Sequence, residues 1–556
     1  MTGTVPSVDT DTSASPAQPL DASVSRRWLL ERAAWVTTAA AGGTLLAPQV
    51  ASAGELVTAP FRDGAADTVR PEAVSDPTEL TIAEALTMFR TRRLTPVELM
   101  EAYLARIDQF EPIYLAFNDR QPPEVLLAQA AALGRRPNSR ALLWGTAMAP
   151  KDNYYTADLL TTGNSPVYSD FRPDYDSTCV ARLRASGGLV IGKAQMGPLA
   201  SGRALLPGTN IPTTRNAWTP DDIRYSPSGS SGGTATSVAA RLATSGLGTQ
   251  TGGSITSPGL AQGLTAFKPT FGRTSLYGVI PLTYTRDHTG PIARDAKDAA
   301  IMLQAIAGAD PYDPRTIGLP PVPDYIAAAT PVVRGRRVRM RWPTTVGIFP
   351  GFLTVNDPQQ AALRQDSLGV LAQIERLSFV DLTLPDEWDI LTGTLASTTG
   401  EGTNAFLADM QRDVAQFATR LTGFLAGTLR SASSYLRVLQ ARYILFQRAL
   451  ETFASQCDLI LGGPVGSFDG IGWPLSSFPI GFGTDETTGL TVPRGAIIGG
   501  LPYGEERMLA LIASYQALTD WHLRRPPDPT ATAATTTRAS APELTIDPAL
   551  EPADEE

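Results

Sequence analysis

Between residues 226 and 258 the chain reads SPSGSSGGTATSVAARLATSGLGTQTGGSITSP, two glycine-framed serine clusters on either side of an alanine-rich segment. Glycine beside a serine lets the backbone turn sharply and approach a ligand closely, and it leaves amide N–H groups free to face an anion. Ser230 and Ser254 stand 24 residues apart. A turn, a helix and a second turn can bring clusters at that spacing together, so they read as halves of one site rather than as two flexible loops.

The residues available for catalysis are few. The chain holds two histidines, His288 and His522, which leaves little for a mechanism that needs an imidazole to take a serine proton. No G-x-S-x-G elbow surrounds Ser230 or Ser254. Lysine is the other base that burial can prepare, and only four of the 46 basic residues are lysines: Lys151, Lys193, Lys268 and Lys297. Lys151 closes an apolar, strand-like run, residues 142–150, and is followed by Asp152 and Asn153. It therefore reads as the buried end of a strand. A free lysine, pKa about 10.4, is neutral in roughly one molecule in a thousand at pH 7, but desolvation lowers that value by up to about 3 to 5 pH units.

These residues give the chain a family resemblance: it resembles the amidase signature enzymes, the Ser-cisSer-Lys amidases. The family's Lys-Asp/Glu-Asn strand end is similar to Ala149-Pro150-Lys151-Asp152-Asn153, and its Gly-Gly-Ser-Ser-Gly-Gly box to Ser228-Gly229-Ser230-Ser231-Gly232-Gly233. The nucleophile box is matched by residues 248–255, GTQTGGSI, and two downstream elements by Phe267-Lys268-Pro269-Thr270 and by residues 287–294, DHTGPIAR. Weaker similarity runs from Leu80 to about Arg524.

The resemblance implies an α/β amidase signature fold, one large domain with a central mixed β-sheet covered by helices on both sides. It implies Ser254 as nucleophile, Ser230 as bridging serine after a cis peptide bond, and Lys151 as base, working without metal or organic cofactor. The oxyanion hole would comprise the backbone amides of Thr251, Gly252, Gly253 and Ser254. Losing one such donor typically costs about 2.7–4 kcal/mol. Ser231 is expected to support the turn, and Asp287 and Arg294 to form or support a structural ion pair near the site. Lys193, after the apolar run of residues 188–192, and Lys268, before Pro269, are expected to be structural, and His288 to be a packed or rim residue. The family's pocket regions imply Trp388, Trp473 and Phe478 as substrate-lining candidates, each also fitting plain core.

Three positions depart from the family pattern, the mildest being Ser228 in place of the first glycine of its box. The usual acid four residues before the nucleophile is Gln250, and the usual arginine two after it is Thr256. Loss of both charges together is expected if those positions pair, because losing one alone would strand a charge in a poorly solvated place. Gln250 is also a candidate substrate contact. The substrate read from this is a small or medium, uncharged carboxamide, anilide or carbamate. The alternatives are a catalytically silent ligand-binding relative and an amidotransferase-type glutaminase subunit. The intact Lys151, Ser230 and Ser254 weigh against the first. In the family those glutaminase subunits work in the cytoplasm with partner subunits and tRNA, so an export signal weighs against the second.

Ser25-Arg26-Arg27-Trp28-Leu29-Leu30 resembles a twin-arginine export motif, followed by an apolar stretch, residues 33–46, and a small-residue site at Ala51-Ser52-Ala53. The expectation is a signal peptide over 1–53 and a periplasmic or extracellular enzyme. An extended lead-in follows over 54–78, the amidase domain over 79–525, and a tail over 526–556 that is disordered by composition. A net charge of −9 disfavours nucleic acid and anionic membranes as partners; the expected partners are a small amide and water, with the protein a monomer or homodimer. Cys179 and Cys457 are too few for a disulfide framework or a metal site.

Along the domain, Thr81 to Glu84 and Thr95 to Glu98 read as capping boxes, with Leu99, Tyr103, Ile107 and Phe110 as the buried stripe of the second helix. Residues 176–186 read as a helix ended by Gly187, the Pro- and Arg-rich run to Trp342 as a crossing connection, and residues 385–455 as mainly helical.

Overall fold

The structure is a computed structural model that describes residues 69–530, apart from 135, 136, 138–140 and 396–398. The expected signal peptide lies outside the described residues, as do the first part of the lead-in and most of the tail. All described residues fall within one compact unit, Thr58–Glu556.

Both capping boxes form. They start helices α1 (Ile82–Arg90) and α2 (Pro96–Tyr114), where Thr81 and Thr95 accept from the amides of Glu84 and Glu98 and each glutamate side chain accepts from the cap amide. These contacts occupy donors that a first helical turn leaves open. Leu99, Tyr103, Ile107 and Phe110 are buried as the stripe predicts. The lead-in is not extended throughout: Pro71–Ser75 is helical and Pro77–Glu79 is a 3-10 turn, each with proline at its start.

The strands are β1 (Phe117–Arg120), β2 (Ala147–Pro150), β3 (Leu189–Val190), β4 (Gly192–Ala194), β5 (Ser245–Gln250), β6 (Thr265–Lys268), β7 (His288–Ala293), β8 (Val332–Arg334), β9 (Arg337–Ile348), β10 (Glu375–Asp381), β11 (Leu459–Leu461), β12 (Leu475–Thr484) and β13 (Thr491–Gly500). Among the described residues one eleven-stranded sheet runs β10-β9-β11-β13-β12-β6-β7-β5-β2-β3, with β8 paired to β9. It is mixed: β2 lies parallel to β3 and β5, whereas β5, β7, β6, β12 and β13 pair antiparallel in turn. Strands β2, β5, β6 and β7 are buried at every position, so both faces of the sheet are covered there. The covering helices include α3 (Thr178–Ala185), α4 (Gly232–Ala239), α5 (Thr256–Gln262), α6 (Ala296–Ile306), α7 (Ala432–Ala454), α8 (Val465–Gly470) and α9 (Glu505–Gln516).

Residues 178–185 are helical as expected, capped by Ser177 and followed by Gly187 at φ 84°. The run to Trp342 is not only a connection, because β9 begins at Arg337. Val338 and Met340 are buried between more exposed arginines, the alternation of a half-buried strand. Residues 388–454 are mainly helical, as expected. Both cysteines are buried free thiols.

Candidate active site

The parallel pairing of β2 with β5 sets Pro150 beside Leu247, and the Lys151 amide donates to the Leu247 carbonyl. This register carries the Lys151 side chain alongside Thr249. Lys151 has no exposed surface. Its Nζ lies 2.7 Å from Ser230 Oγ, 2.8 Å from Thr249 Oγ1 and 3.4 Å from the Thr249 carbonyl oxygen. Asn153 Nδ2 donates to the same Thr249 hydroxyl at 3.0 Å. Burial pulls the Lys151 pKa down to about 7, and the nearby Asp287 carboxylate opposes that fall. At neutral pH a substantial fraction of this amine is therefore unprotonated.

The peptide bond between Gly229 and Ser230 is cis. Of the two neighbouring serines, Ser230 is the one whose hydroxyl meets Lys151. Ser231 takes a different part: its Oγ donates to the Thr249 carbonyl at 3.3 Å and its amide to the Ser254 carbonyl at 3.3 Å. It thereby ties the first cluster to the second. Ser254 sits in the turn between β5 and α5, with a relative exposure of 8 %. Among the described residues its hydroxyl makes no hydrogen bond to the protein, and Ser230 Oγ meets Lys151 alone.

The turn does not offer all four expected amides. Gly253, at φ 82°, donates its N–H to Asp469 Oδ2 at 2.8 Å, so that donor is occupied. Among the described residues the amides of Thr251, Gly252 and Ser254 have no protein acceptor. Gly252 is exposed and Thr251 half-buried.

Gln250 is a fully buried link inside the turn and has no surface for a substrate. Its Oε1 accepts from the amides of Ile255 and Thr256 at 2.8 and 2.9 Å and from the Thr256 hydroxyl at 3.2 Å. The two neutral departures from the family pattern therefore do pair. Gln250 Nε2 donates to both Asp469 oxygens, at 2.8 and 3.0 Å.

Asp287 and Arg294 do not form an ion pair with each other, because they sit at opposite ends of β7. Asp287 accepts from the Leu282 and Thr283 amides at 2.7 and 3.0 Å and from the Thr251 hydroxyl, gripping the turn. Burial pushes its pKa up, against these hydrogen bonds. Arg294 instead donates to the carbonyls of Glu79 and Leu80, at the entry to α1. Trp388, Trp473 and Phe478 are core residues rather than pocket walls. Trp473 packs on Phe446, Phe453 and Phe468, Trp388 on Phe349, Phe453 and Phe468, and Phe478 on Tyr515. The exposures of Trp473, Trp388 and Phe478 are 0, 5 and 1 %.

Lys193 is a structural cation, 3.4 Å from Asp152 and donating to the Thr161 hydroxyl. Lys268 lies 3.2 Å from Asp469 and donates to the Trp473 carbonyl. His288 is packed: its Nδ1 bonds the Arg286 carbonyl at 2.6 Å, Phe271 lies edge-on to its ring, and burial holds its pKa well below the usual histidine value. Among the described residues no group of three or more histidine, cysteine or acidic side chains is placed to hold a metal. Sequence reasoning missed Asp469 because it stands in α8, far along the chain from the glycine-serine clusters, in a segment where nothing but an acid between apolar and glycine residues marks it.

Residues 98–452 match the Amidase family model, and the chain belongs to that family. It is similar to a Glutamyl-tRNA(Gln) amidotransferase subunit of Geotalea daltonii, with 32 % identity over 491 residues, covering 80 % of this chain and 99 % of the relative. Among solved structures it resembles the native peptide amidase of Stenotrophomonas maltophilia, with 26 % identity, a TM-score of 0.66, and coverage of 81 % of this chain and 98 % of that one. An inhibitor-bound complex bearing on the origins of an s-triazine catabolic enzyme shares the fold, with a TM-score of 0.68 at 23 % identity, covering 79 % of this chain and 98 % of that one.

Proposed function

We propose that this protein hydrolyses amide C–N bonds through an acyl-enzyme on Ser254, with Ser230 and Lys151 as its proton relay. The observation that carries this reading is the 2.7 Å contact between a fully buried Lys151 amine, pKa about 7, and the Ser230 hydroxyl. A neutral amine there accepts the Ser230 proton while Ser230 accepts that of Ser254, and Ser254 Oγ adds to the substrate carbonyl carbon. The amides of Thr251, Gly252 and Ser254 hold the oxyanion. Its collapse breaks the C–N bond, and the leaving nitrogen takes the relayed proton. Water then adds to the ester by the same relay and releases the acid, freeing Ser254.

The substrate we infer is a small or medium uncharged carboxamide, anilide or carbamate, and the peptide amidase likeness supports a free amidase. A second reading, a glutamine-hydrolysing amidotransferase subunit, has the stronger support from the relatives, since several at 30–33 % identity are named as Glutamyl-tRNA(Gln) amidotransferase subunits. Both readings share the Ser254 chemistry. The export motif at Ser25 to Leu30 favours the free, secreted enzyme; fusing residues 1–53 to a reporter and following it to the periplasm tests that point. Purified protein offered glutamine, primary amides, anilides, C-terminally amidated peptides and carbamates separates the two. Turnover of several non-glutamine amides by the chain alone supports the amidase, whereas hydrolysis confined to glutamine supports the subunit.

A further inference from the structure

We infer that Asp469 is a positioning residue for the nucleophile turn, and that Gln250 and Asp469 form a matched pair in which one acid facing one amide keeps the turn competent. The inference rests on Ser254 as the nucleophile. Asp469 belongs to α8, from the C-terminal half of the chain, yet its carboxylate reaches into the turn after β5. It has no exposed surface and gathers three donors: the Gly253 amide at 2.8 Å, both contacts of Gln250 Nε2, and Lys268 Nζ at 3.2 Å.

The orientation of Gln250 is fixed from both ends. Its Oε1 faces two backbone amides and the Thr256 hydroxyl, so its Nε2 must face Asp469. A carboxylate at 250 would keep the first set of bonds and place two buried anions against each other, which is costly. An amide at 469 would set an N–H2 group against the Gln250 amide and leave the buried Lys268 ammonium without its carboxylate. Either change disturbs the residues that flank Ser254 on both sides. Asp469 also turns the Gly253 N–H away from the oxyanion and thereby sets which three amides face the substrate.

Reciprocal exchange provides the test. Gln250→Glu and Asp469→Asn each remove the match, while the double variant restores an acid facing an amide with the polarity reversed. The rate at which a fluorophosphonate modifies Ser254 reports the geometry of nucleophile and oxyanion donors, and amide hydrogen exchange over residues 251–256 reports the turn itself. Each single variant is expected to slow modification by about tenfold or more and to speed exchange, and the double variant to recover part of both. Thermal melting of all four proteins separates loss of folding from loss of alignment. Single variants that modify and exchange like wild type, or a folded double variant no better than the worse single, would overturn the inference. A wild-type protein left unmodified at Ser254 would count against the nucleophile instead, and the exchange pattern would still decide the Asp469 contact.

Discussion

Lys151 shows how far the chemistry of one side chain is set by what surrounds it. Burial at the end of a central strand lowers its pKa, Thr249 and Ser230 hold its amine, and Asp287 moderates the shift. Lys151→Ala should lower kcat by about a thousandfold or more in steady-state assays, as loss of a member of a nucleophile–base unit does. The sign of the pH dependence follows from the base being active when neutral. Turnover should fall about tenfold for each pH unit below 7, as protonation removes the acceptor, and level off above it. The meeting of Lys151 with the two serine clusters was legible because each lies in a short run of marked composition: an apolar strand before the lysine, glycines beside each serine. Asp469 was not, because it reaches the site only through the packing of α8, and Gln250 was misjudged for the same reason, since its partner was unseen.

At the scale of elements, caps and stripes were legible and sheet membership was not. The boxes at Thr81 and Thr95 announce helices through local hydrogen bonds, so Thr95→Ala should destabilise the protein by about 1 kcal/mol, measured by urea unfolding. In β9 the arginines that suggested a crossing connection are the outward half of a strand, with Val338 and Met340 as the inward half. Gly290 marks the tightest approach in the sheet centre, where a methyl group would overlap the Phe267 carbonyl of β6. Gly290→Ala should part β6 from β7 and cost about 3 kcal/mol, seen as a lower unfolding midpoint at unchanged secondary structure.

For the molecule as a whole, Glu79 joins distant parts of the chain. From the 3-10 turn before α1 it meets Arg241 after α4, Arg294 after β7 and Arg525 near the end of the described chain. Burial works to raise its pKa, but the three guanidinium groups overcome this and hold the carboxyl below its usual value. A carboxyl depressed on folding contributes stability that is present above its unfolded pKa and lost as pH falls through the folded one. Glu79→Gln should therefore destabilise the protein at pH 7, by about 3 kcal/mol, and much less near pH 3, as read from unfolding at the two pH values. This convergence of distant segments was beyond sequence reading, because each partner looks like an ordinary surface charge until the sheet brings them together.

In the proposed relay Lys151, its pKa drawn down to about 7 by burial, activates Ser254 through Ser230. The most direct measurement is the rate of fluorophosphonate modification across pH 5 to 9, with the modified residue located by peptide mass spectrometry. The expected result is a single adduct on Ser254, a rate that rises through a midpoint near 7, and loss of that rise in Lys151→Ala. An adduct elsewhere, or a pH profile that survives removal of Lys151, would contradict it.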